Sequence, residues 1–147
     1  MRVLFDTNVL LDLLLAREPW DTPAARLFML ADDGVLEAYV CATSVTNVDY
    51  LARRMVGGRA AQSLVRSVLE LLRVAAVDAA VLQRALDASS SDFEDAVVLE
   101  AARAVGAEGI VTRDKTGFAA ADLEVWLPDE LLAMVDVLTD RVEVVSI

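Results

Sequence analysis

Short apolar runs alternate along this chain with longer segments of helical periodicity, and this pattern constrains the fold most strongly. The runs are as short as buried strands, whereas the segments between them repeat apolar residues every three or four positions. This order is typical of an α/β domain with a mainly parallel sheet. We predict strands at about residues 3–5, 38–42, 73–77, 109–112, 124–127 and 142–145. We predict helices at about residues 9–15, 22–32, 45–55, 59–72, 79–88, 92–105 and 128–138, the third of them capped by Thr43 or Ser44.

Length and composition predict one globular domain over residues 1–147. The apolar fraction of 56% excludes intrinsic disorder. Charges interrupt every apolar run before it reaches the roughly 18 residues of a membrane span, and the first residues lack the features of a signal peptide. A single cysteine, Cys41, fits a reducing compartment. We therefore expect a soluble, cytoplasmic protein without a membrane partner.

The composition also limits the chemistry. The chain has no histidine, which excludes serine–histidine and cysteine–histidine catalysis as well as zinc sites built on imidazole. It has 24 aspartates and glutamates, and oxygen ligands of this kind suit hard cations such as Mg²⁺ or Mn²⁺. The formal net charge of −11 argues against broad affinity for nucleic acids, which normally requires a positive surface.

Aspartates occur where a parallel sheet would bring them together. Asp6 ends the first predicted strand, and Asp114 follows the fourth. Asp92 and Asp95 begin a helix whose start lies near the same edge, the edge at which ligands gather in open parallel sheets. Because converging carboxylates repel one another, a divalent cation would stabilise them and could activate a water molecule. We predict a metal site centred on Asp6, Asp95 and Asp114 with Asp92 beside it.

Neutral and basic residues next to these aspartates have predicted supporting roles. Thr7, Asn8 and Thr112 are suited to orient the ligands or the water bound to the metal. Arg113 and Lys115 flank Asp114, where they would contact a substrate phosphate or offset the carboxylates.

Each acid also has a purely structural interpretation. Ser91 and Glu94 have the spacing of a capping box, and acids in a first helical turn complement the helix dipole. Asp6 could cap the first helix, and Asp114 could be a turn residue. The metal-site prediction therefore depends on the three segments occurring together and in this order.

The chain resembles the PIN domain family, which includes VapC-type toxins and related metal-dependent ribonucleases. The resemblance lies in residues 5–12 (Phe-Asp-Thr-Asn-Val-Leu-Leu-Asp), 92–96 (Asp-Phe-Glu-Asp-Ala) and 110–114 (Ile-Val-Thr-Arg-Asp), and it spans about residues 1–128. It implies a three-layer α/β/α fold, a Mg²⁺ or Mn²⁺ site and hydrolysis of RNA phosphodiester bonds. The resemblance places Asp6, Asp95 and Asp114 on acidic positions of the family.

One position departs from the family pattern. PIN nucleases usually have a glutamate early in the helix after the second strand, and Asn47 aligns there in this chain. Asp49 is two residues further on and points about 200° away around a helix, so we do not expect it to substitute. We expect either a lower metal affinity or the recruitment of Asp92 or Glu94 to replace the missing charge.

Three functions are compatible with these residues to different degrees. The leading hypothesis is a metal-dependent endoribonuclease, the toxin of a toxin–antitoxin pair. It would act on RNA, bind an antitoxin protein and form a homodimer through the strongly apolar helices at 9–15 and 128–138. The alternative is a catalytically weakened PIN-like module that acts through protein or RNA binding, which Asn47 and the net charge favour. A phosphotransfer enzyme with Asp6 as nucleophile needs a second aspartate at position 8, where this chain has Asn8.

Overall fold

The computed structural model of the chain describes residues 1–88, 90, 92–119 and 121–145, with the backbone alone for residues 142–145. Its strands are β1 (Arg2–Phe5), β2 (Glu37–Cys41), β3 (Arg73–Ala75), β4 (Gly109–Val111) and β5 (Glu124–Trp126). Its α-helices are α1 (Thr7–Leu14), α2 (Asp21–Asp32), α3 (Ala42–Val56), α4 (Gly58–Leu71), α5 (Ala79–Asp87), α6 (Phe93–Ala104) and α7 (Pro128–Val145). One turn of 3₁₀ helix, Lys115–Phe118, lies between β4 and β5.

The five strands form one sheet in the order β3-β2-β1-β4-β5, and each of its four strand pairs is parallel. β1 lies at the centre, where Leu4 is opposite Tyr39 of β2 and Ile110 of β4. Because all strands run in one direction, the helices that connect them must cross over the faces of the sheet. The predicted mainly parallel sheet is therefore confirmed.

Side chains of β1 alternate between two hydrophobic cores, one on each face of the sheet. Val3 and Phe5 pack with α1, α2, α3, α4 and α7, and Phe5 meets the Phe28 ring edge-on at 5.3 Å between centroids. Leu4 points to the opposite face, where α5 and α6 cover it. Successive residues of a strand point to opposite faces, which explains why an uninterrupted apolar run forms a strand buried on both sides. The result is the predicted three-layer α/β/α fold.

The apolar side chains of α1 pack mainly against other parts of the same chain. Val9, Leu10 and Leu11 are almost fully buried in the first core. Burying a side chain of this size contributes about 1.5–3 kcal/mol, so helix formation here is driven by packing rather than by intrinsic propensity. The hydrophobicity of α1 therefore does not by itself require a second subunit.

Two local predictions are wrong. The segment 142–145 was expected to be a strand, but α7 extends through Val145 because neither Gly nor Pro interrupts the helical sequence after residue 138. Thr43 and Ser44 do not cap α3, since that helix begins at Ala42 directly after β2. Although α7 has 18 residues, no helix in the described part of the chain is both long and apolar enough to cross a membrane.

The C-terminal ends of β1 and β4 lie side by side at one edge of the sheet, where polar residues follow both strands. The Asp6 N–H donates to the Val111 carbonyl oxygen at 3.0 Å, which joins the two ends just where each strand stops. Residues that follow β1 and β4 are therefore neighbours, although more than a hundred positions separate them along the chain.

Candidate metal centre

Asp6 is fixed where β1 turns into α1. Its Oδ1 accepts the Thr7 N–H at 2.9 Å, so the side chain caps the helix, and its Oδ2 accepts the Thr112 hydroxyl at 2.8 Å. Thr112 comes directly after β4 and is fully buried. The two bonds hold both carboxylate oxygens of Asp6 in a defined direction.

Asn8 and Thr112 form the polar floor between the two strand ends. The Asn8 Nδ2 donates to Thr112 Oγ1 at 3.2 Å, and Asn8 Oδ1 accepts the Arg113 N–H at 3.2 Å. The Asp114 N–H also donates to Thr112 Oγ1, at 3.1 Å. The Thr112 hydroxyl thus accepts two hydrogen bonds and donates one to Asp6. These bonds link the loop after β4 to the start of α1.

Asp114 begins the 3₁₀ turn after β4. Its Oδ1 accepts the Thr116 N–H at 3.0 Å and also the Thr116 hydroxyl. Donation by the Thr116 hydroxyl and backbone lowers the pKa of Asp114, because both hydrogen bonds stabilise the ionised carboxylate. Asp114 is therefore charged at neutral pH.

The start of α6 supplies two further carboxylates. Asp92 caps this helix by accepting the Asp95 N–H at 3.2 Å, and Asp95 lies in its first turn. The predicted capping box includes Ser91, which lies outside the described residues. Asp95 is half-buried and packs closely against the 3₁₀ turn: a Cβ on Gly117 would lie 2.2 Å from Asp95 Oδ2.

A cleft of about 480 Å³ opens between these elements at the C-terminal edge of the sheet. Its lining residues are Asp6, Asn8, Asp92, Asp95, Asp114, Thr116, Gly117 and Phe118. Three separated segments thus bring four aspartates to one cavity, and three of these four, Asp6, Asp95 and Asp114, are the predicted centre of the metal site.

The cleft carboxylates destabilise one another's charge. Burial raises the pKa of Asp95 to about 6, with further contributions from the charges of Asp92, Asp6, Glu94 and Asp114. Burial also raises the pKa of Asp6, although the hydrogen bonds from Thr112 and Thr7 oppose this. Burial thus disfavours the ionised forms of Asp95 and Asp6, and the neighbouring carboxylates add to this effect.

The two basic residues beside Asp114 do not line this cleft. Arg113 pairs with Asp12 of α1, with Nη2 at 3.1 Å from Oδ1, and its guanidinium lies 4.1 Å from the centre of the Trp20 ring. Lys115 pairs with Glu130 at the start of α7, at 2.6 Å. Their predicted role as substrate contacts would require both side chains to leave these partners.

Asn47 of α3 contacts an acid from another part of the chain. Its Nδ2 donates to Glu94 Oε1 at 2.5 Å. Asp49 is engaged elsewhere, since its Oδ2 accepts the Arg53 Nε at 2.8 Å. Asn47 and Glu94 are not among the residues that line the cleft.

Comparison with known proteins identifies the family. The model of the PIN domain matches residues 2–116, which include every element that contributes a carboxylate to the cleft. The chain belongs to the PIN domain family. Divalent metal ions generally serve the nucleases of this family.

Solved structures that include VapC-type proteins share the fold of this PIN domain. The VapBC2 complex of Rickettsia felis, bound to a DNA fragment from its promoter, aligns with a TM-score of 0.63 and 16% identity over 86% of this chain and 99% of that chain. VapC20 of Mycobacterium tuberculosis, a toxin that cleaves the sarcin–ricin loop, aligns with a TM-score of 0.65 and 21% identity over 81% and 95% of the respective chains. FitAcB from Neisseria gonorrhoeae gives a TM-score of 0.65 and 20% identity over 86% and 97%. No curated protein sequence matches the chain.

The donor set of this PIN domain fits a hard divalent cation. The cleft offers carboxylate oxygens, the Asn8 amide and the Thr116 hydroxyl, and Gly117 leaves the space that the Asp95 carboxylate uses. Within the part of the chain that the structure describes, however, no three Asp, Glu or Cys side chains already stand in an arrangement that holds an ion. Asp6, Asp92 and Asp114 each direct one oxygen to a backbone N–H.

Sequence reasoning assigned no role to three residues that line the cleft, Thr116, Gly117 and Phe118, or to Asp12 of α1. Thr116 and Gly117 line the cavity, and the Asp114-x-Thr116 spacing, typical of an aspartate that caps a turn, could have indicated Thr116. Asp12 was not assigned a role, although an aspartate on an otherwise apolar helix requires a buried partner. The partner, Arg113, is 101 positions away, so only the fold reveals the pair.

Proposed function

We propose that this PIN domain is a divalent-metal-dependent endoribonuclease and the toxin of a toxin–antitoxin pair, acting in the cytoplasm. The observation that carries this proposal is the convergence of Asp6, Asp92, Asp95 and Asp114 on one cleft at the C-terminal edge of the sheet. When bound there, Mg²⁺ or Mn²⁺ supplies Lewis acidity for the attack of water on a phosphodiester. Asp6, Asp95 and Asp114 hold the ion, with Asp92 beside them.

Asn8 of the cleft and the neighbouring residues Thr7 and Thr112 orient these ligands. Thr112 and the Thr7 N–H fix the direction of the Asp6 carboxylate, and Asn8 ties the loop before Asp114 to α1. Asp95 must be ionised to bind a cation. Because its pKa is raised to about 6 without metal, metal affinity falls as the pH is lowered through that value.

RNA is the substrate class we infer, and a structured RNA is the first choice for testing. VapC20, which shares this fold, cleaves the sarcin–ricin loop, and this supports the choice. The high negative charge of the chain means that local contacts, rather than the overall charge, must attract the RNA. Arg113 and Lys115 are the nearest predicted phosphate contacts, provided that they exchange their present partners for substrate.

An antitoxin protein and a second copy of the chain are the partners we propose. The structural relatives include the VapBC2 complex and a toxin–antitoxin complex of Klebsiella pneumoniae (TM-score 0.63, 19% identity, over 86% of this chain and 97% of that chain). Tyr50, Met55 and Leu86 are each more than 60% exposed, which leaves apolar surface for such contacts. Light scattering of the purified protein measures whether it forms a dimer.

Cleavage of labelled structured RNAs in Mn²⁺ or Mg²⁺ tests the function. We expect cleavage that chelation stops and that Asp6→Asn lowers by more than about 10²-fold, since losing residues that merely support a metal ligand already costs 10–100-fold. Asp32→Asn is the matched control, because it removes the same charge from an exposed position at the end of α2. Absence of metal-dependent cleavage across varied RNAs, with a folded protein, would contradict the proposal.

A non-catalytic binding module is the second candidate. The capping bonds of Asp6, Asp92 and Asp114 favour it, because each carboxylate already has a structural use in the metal-free protein. Titration calorimetry with Mn²⁺ separates the two candidates. Tight binding that Asp95→Asn abolishes supports the nuclease, whereas no binding by the wild type supports the module.

A further inference from the structure

A second cavity, of about 400 Å³, lies beside the cleft, between α6 and the segment around Phe118. Its lining residues include Asp92, Asp95 and residues 116–118, which also line the cleft. The two cavities are therefore adjacent, and we call the second one the side cavity. Its volume lies within the range of about 300–1,000 Å³ that is usual for binding sites of small organic molecules. A group attached to a molecule in the cleft could therefore enter the side cavity.

One face of α6 forms a long wall of the side cavity. The helical residues in this wall recur at intervals of three or four positions, which places them on one side of the helix: Asp95, Ala96, Leu99, Glu100 and Arg103. At 1.5 Å per residue, the wall extends about 12 Å from Asp95 to Arg103. The side cavity thus runs from the carboxylates of the cleft to a guanidinium at its far end.

The middle of the side cavity is apolar. Ala96 and Phe118 are buried there, and Leu99 and Ala121 are half-buried. Ala96 and Ala121 are small, so the space between the walls stays open where a larger side chain would fill it. Apolar walls with a few polar groups at the ends are typical of sites that bind an organic ring.

The charged residues of the side cavity suit a neutral ligand better than an anion. Asp92 and Asp95 at the cleft end would repel a phosphate, and the charge of Arg103 is already balanced by Glu100 and Asp122. The described hydrogen bonds of Arg103 use three of its five N–H donors, which leaves two for a ligand. A nucleobase meets these conditions, because it is flat and uncharged and its edge carries both donors and acceptors.

We propose that the side cavity binds an unpaired nucleobase of the RNA substrate, next to the phosphodiester that lies in the cleft. The base packs its ring against the apolar middle of the cavity, and Arg103 donates to an acceptor on its edge. Bases in single-stranded loops and bulges can leave their strand in this way. Because the base is uncharged, this contact does not require a chain with a net charge of −11 to attract phosphates. The inference rests on the proposed function, since it assumes that RNA binds across the cleft.

NMR titration of the full chain with the four ribonucleosides, in metal-free buffer, tests the inference without a cleavage assay. We expect at least one nucleoside to bind about 10-fold more tightly than ribose and to shift the amide signals of Leu99 and Ala121. Ala121→Phe and Ala119→Phe add a ring in the side cavity but not in the cleft. We expect each to weaken nucleoside binding by about 10-fold, while Mn²⁺ still binds. Ala133→Phe is the matched control, because it adds the same ring at an exposed position of α7.

The possible results separate the inference from the function. If no nucleoside binds the wild type, or if both filled variants bind nucleosides as the wild type does, the inference is wrong, and metal-dependent RNA cleavage still decides the function. If nucleosides bind as expected but no RNA is cleaved, the function fails and the nucleobase site stands. Tighter binding of N-acetyltryptophanamide than of every nucleoside would indicate a site for a peptide side chain and would contradict the inference.

Circular dichroism verifies the fold of each variant. Should Ala121→Phe not fold, Ala119→Phe decides alone, because Ala119 is exposed and tolerates a larger side chain more readily.

Discussion

Asp12 and the four aspartates of the cleft have opposite surroundings, although Asp12 and Asp6 are only six positions apart. Asp12 is fully buried on α1 and is bound by Arg17 at 3.0 Å and by Arg113, whose guanidinium also lies over the Trp20 ring. Asp6, less than two turns earlier in the chain, shares a cleft with three other aspartates, and none of the residues that line it is a lysine or arginine.

The difference separates an acid with a structural role from acids that we propose to bind a metal ion. A buried carboxylate with two arginine partners has its charge compensated inside the fold, as Glu100 has with Arg84 and Arg103. In the cleft, burial and neighbouring carboxylates raise the pKa values of Asp6 and Asp95, so the ionised forms of these two acids are disfavoured. A bound cation would favour the ionised forms, which is why we propose the cleft as a metal site.

Asp12→Ala should have the largest effect on stability. It leaves Arg113 partly buried without its carboxylate, and breaking a buried ion pair in this way typically costs about 3–5 kcal/mol. Urea denaturation measures the loss. Asp49→Ala is the control, because it breaks an exposed pair with Arg53 and should cost less than about 1 kcal/mol. Equal losses in the two variants would contradict a larger contribution from the buried ion pair than from the exposed one.

Gly117→Ala should act on the cleft rather than on the fold. The new Cβ would lie 2.2 Å from Asp95 Oδ2, so the carboxylate must swing away from its wall of the cavity. We expect Mn²⁺ to bind about 10-fold more weakly, which corresponds to about 1.4 kcal/mol less stabilisation by metal. Thermal unfolding with and without Mn²⁺ measures this. Gly58→Ala, at the first position of α4, should leave the metal effect unchanged.

The pH dependence of stability should show the smallest effect. Since the pKa of Asp95 is raised from 3.8 to about 6, the folded protein binds this proton more tightly than the unfolded chain does. The stabilisation from this site is complete below about pH 3.8 and is lost as the pH rises through 6. In metal-free buffer, Asp95→Asn should therefore be more stable than the wild type at pH 7.5 by about 1 kcal/mol, after allowance for screening by water.

Denaturation of both proteins at pH 5 and pH 7.5 measures this effect. Comparing the variant with the wild type cancels the titrating groups that do not interact with Asp95. An Asp95→Asn advantage that does not shrink at pH 5 would mean that the raised pKa does not govern the stability of the cleft.

Much of the fold could be predicted because it depends on local patterns. Apolar runs that are buried on both faces of a sheet stand out in the sequence, and each of the five observed strands overlaps a predicted one. The end of α7 was missed because alternating apolar residues at 142–145 suggested a strand, while the absence of a helix stop was the stronger signal.

The aspartates of the cleft could be placed from the sequence for a related reason. Parallel strands bring their C-terminal ends to one edge, so acids directly after two strands must be near each other. That rule predicts that the acids are close together, but it does not predict in which direction each carboxylate points. It cannot say that Asp6 takes a hydrogen bond from Thr112, or that Gly117 makes room for Asp95.

The sequence by itself therefore determined the order of the elements, the parallel sheet and the edge at which the acids gather, because these follow from periodicity and chain direction. Only the tertiary structure decided which acidic side chains have their charge balanced by an arginine or lysine. Arg113 lies next to Asp114 in the sequence and yet pairs with Asp12, and Asn47 holds Glu94 from another layer of the fold. Such pairings depend on side chains that meet across long sequence separations. The sequence alone therefore does not show that no lysine or arginine lines the cavity of the four aspartates.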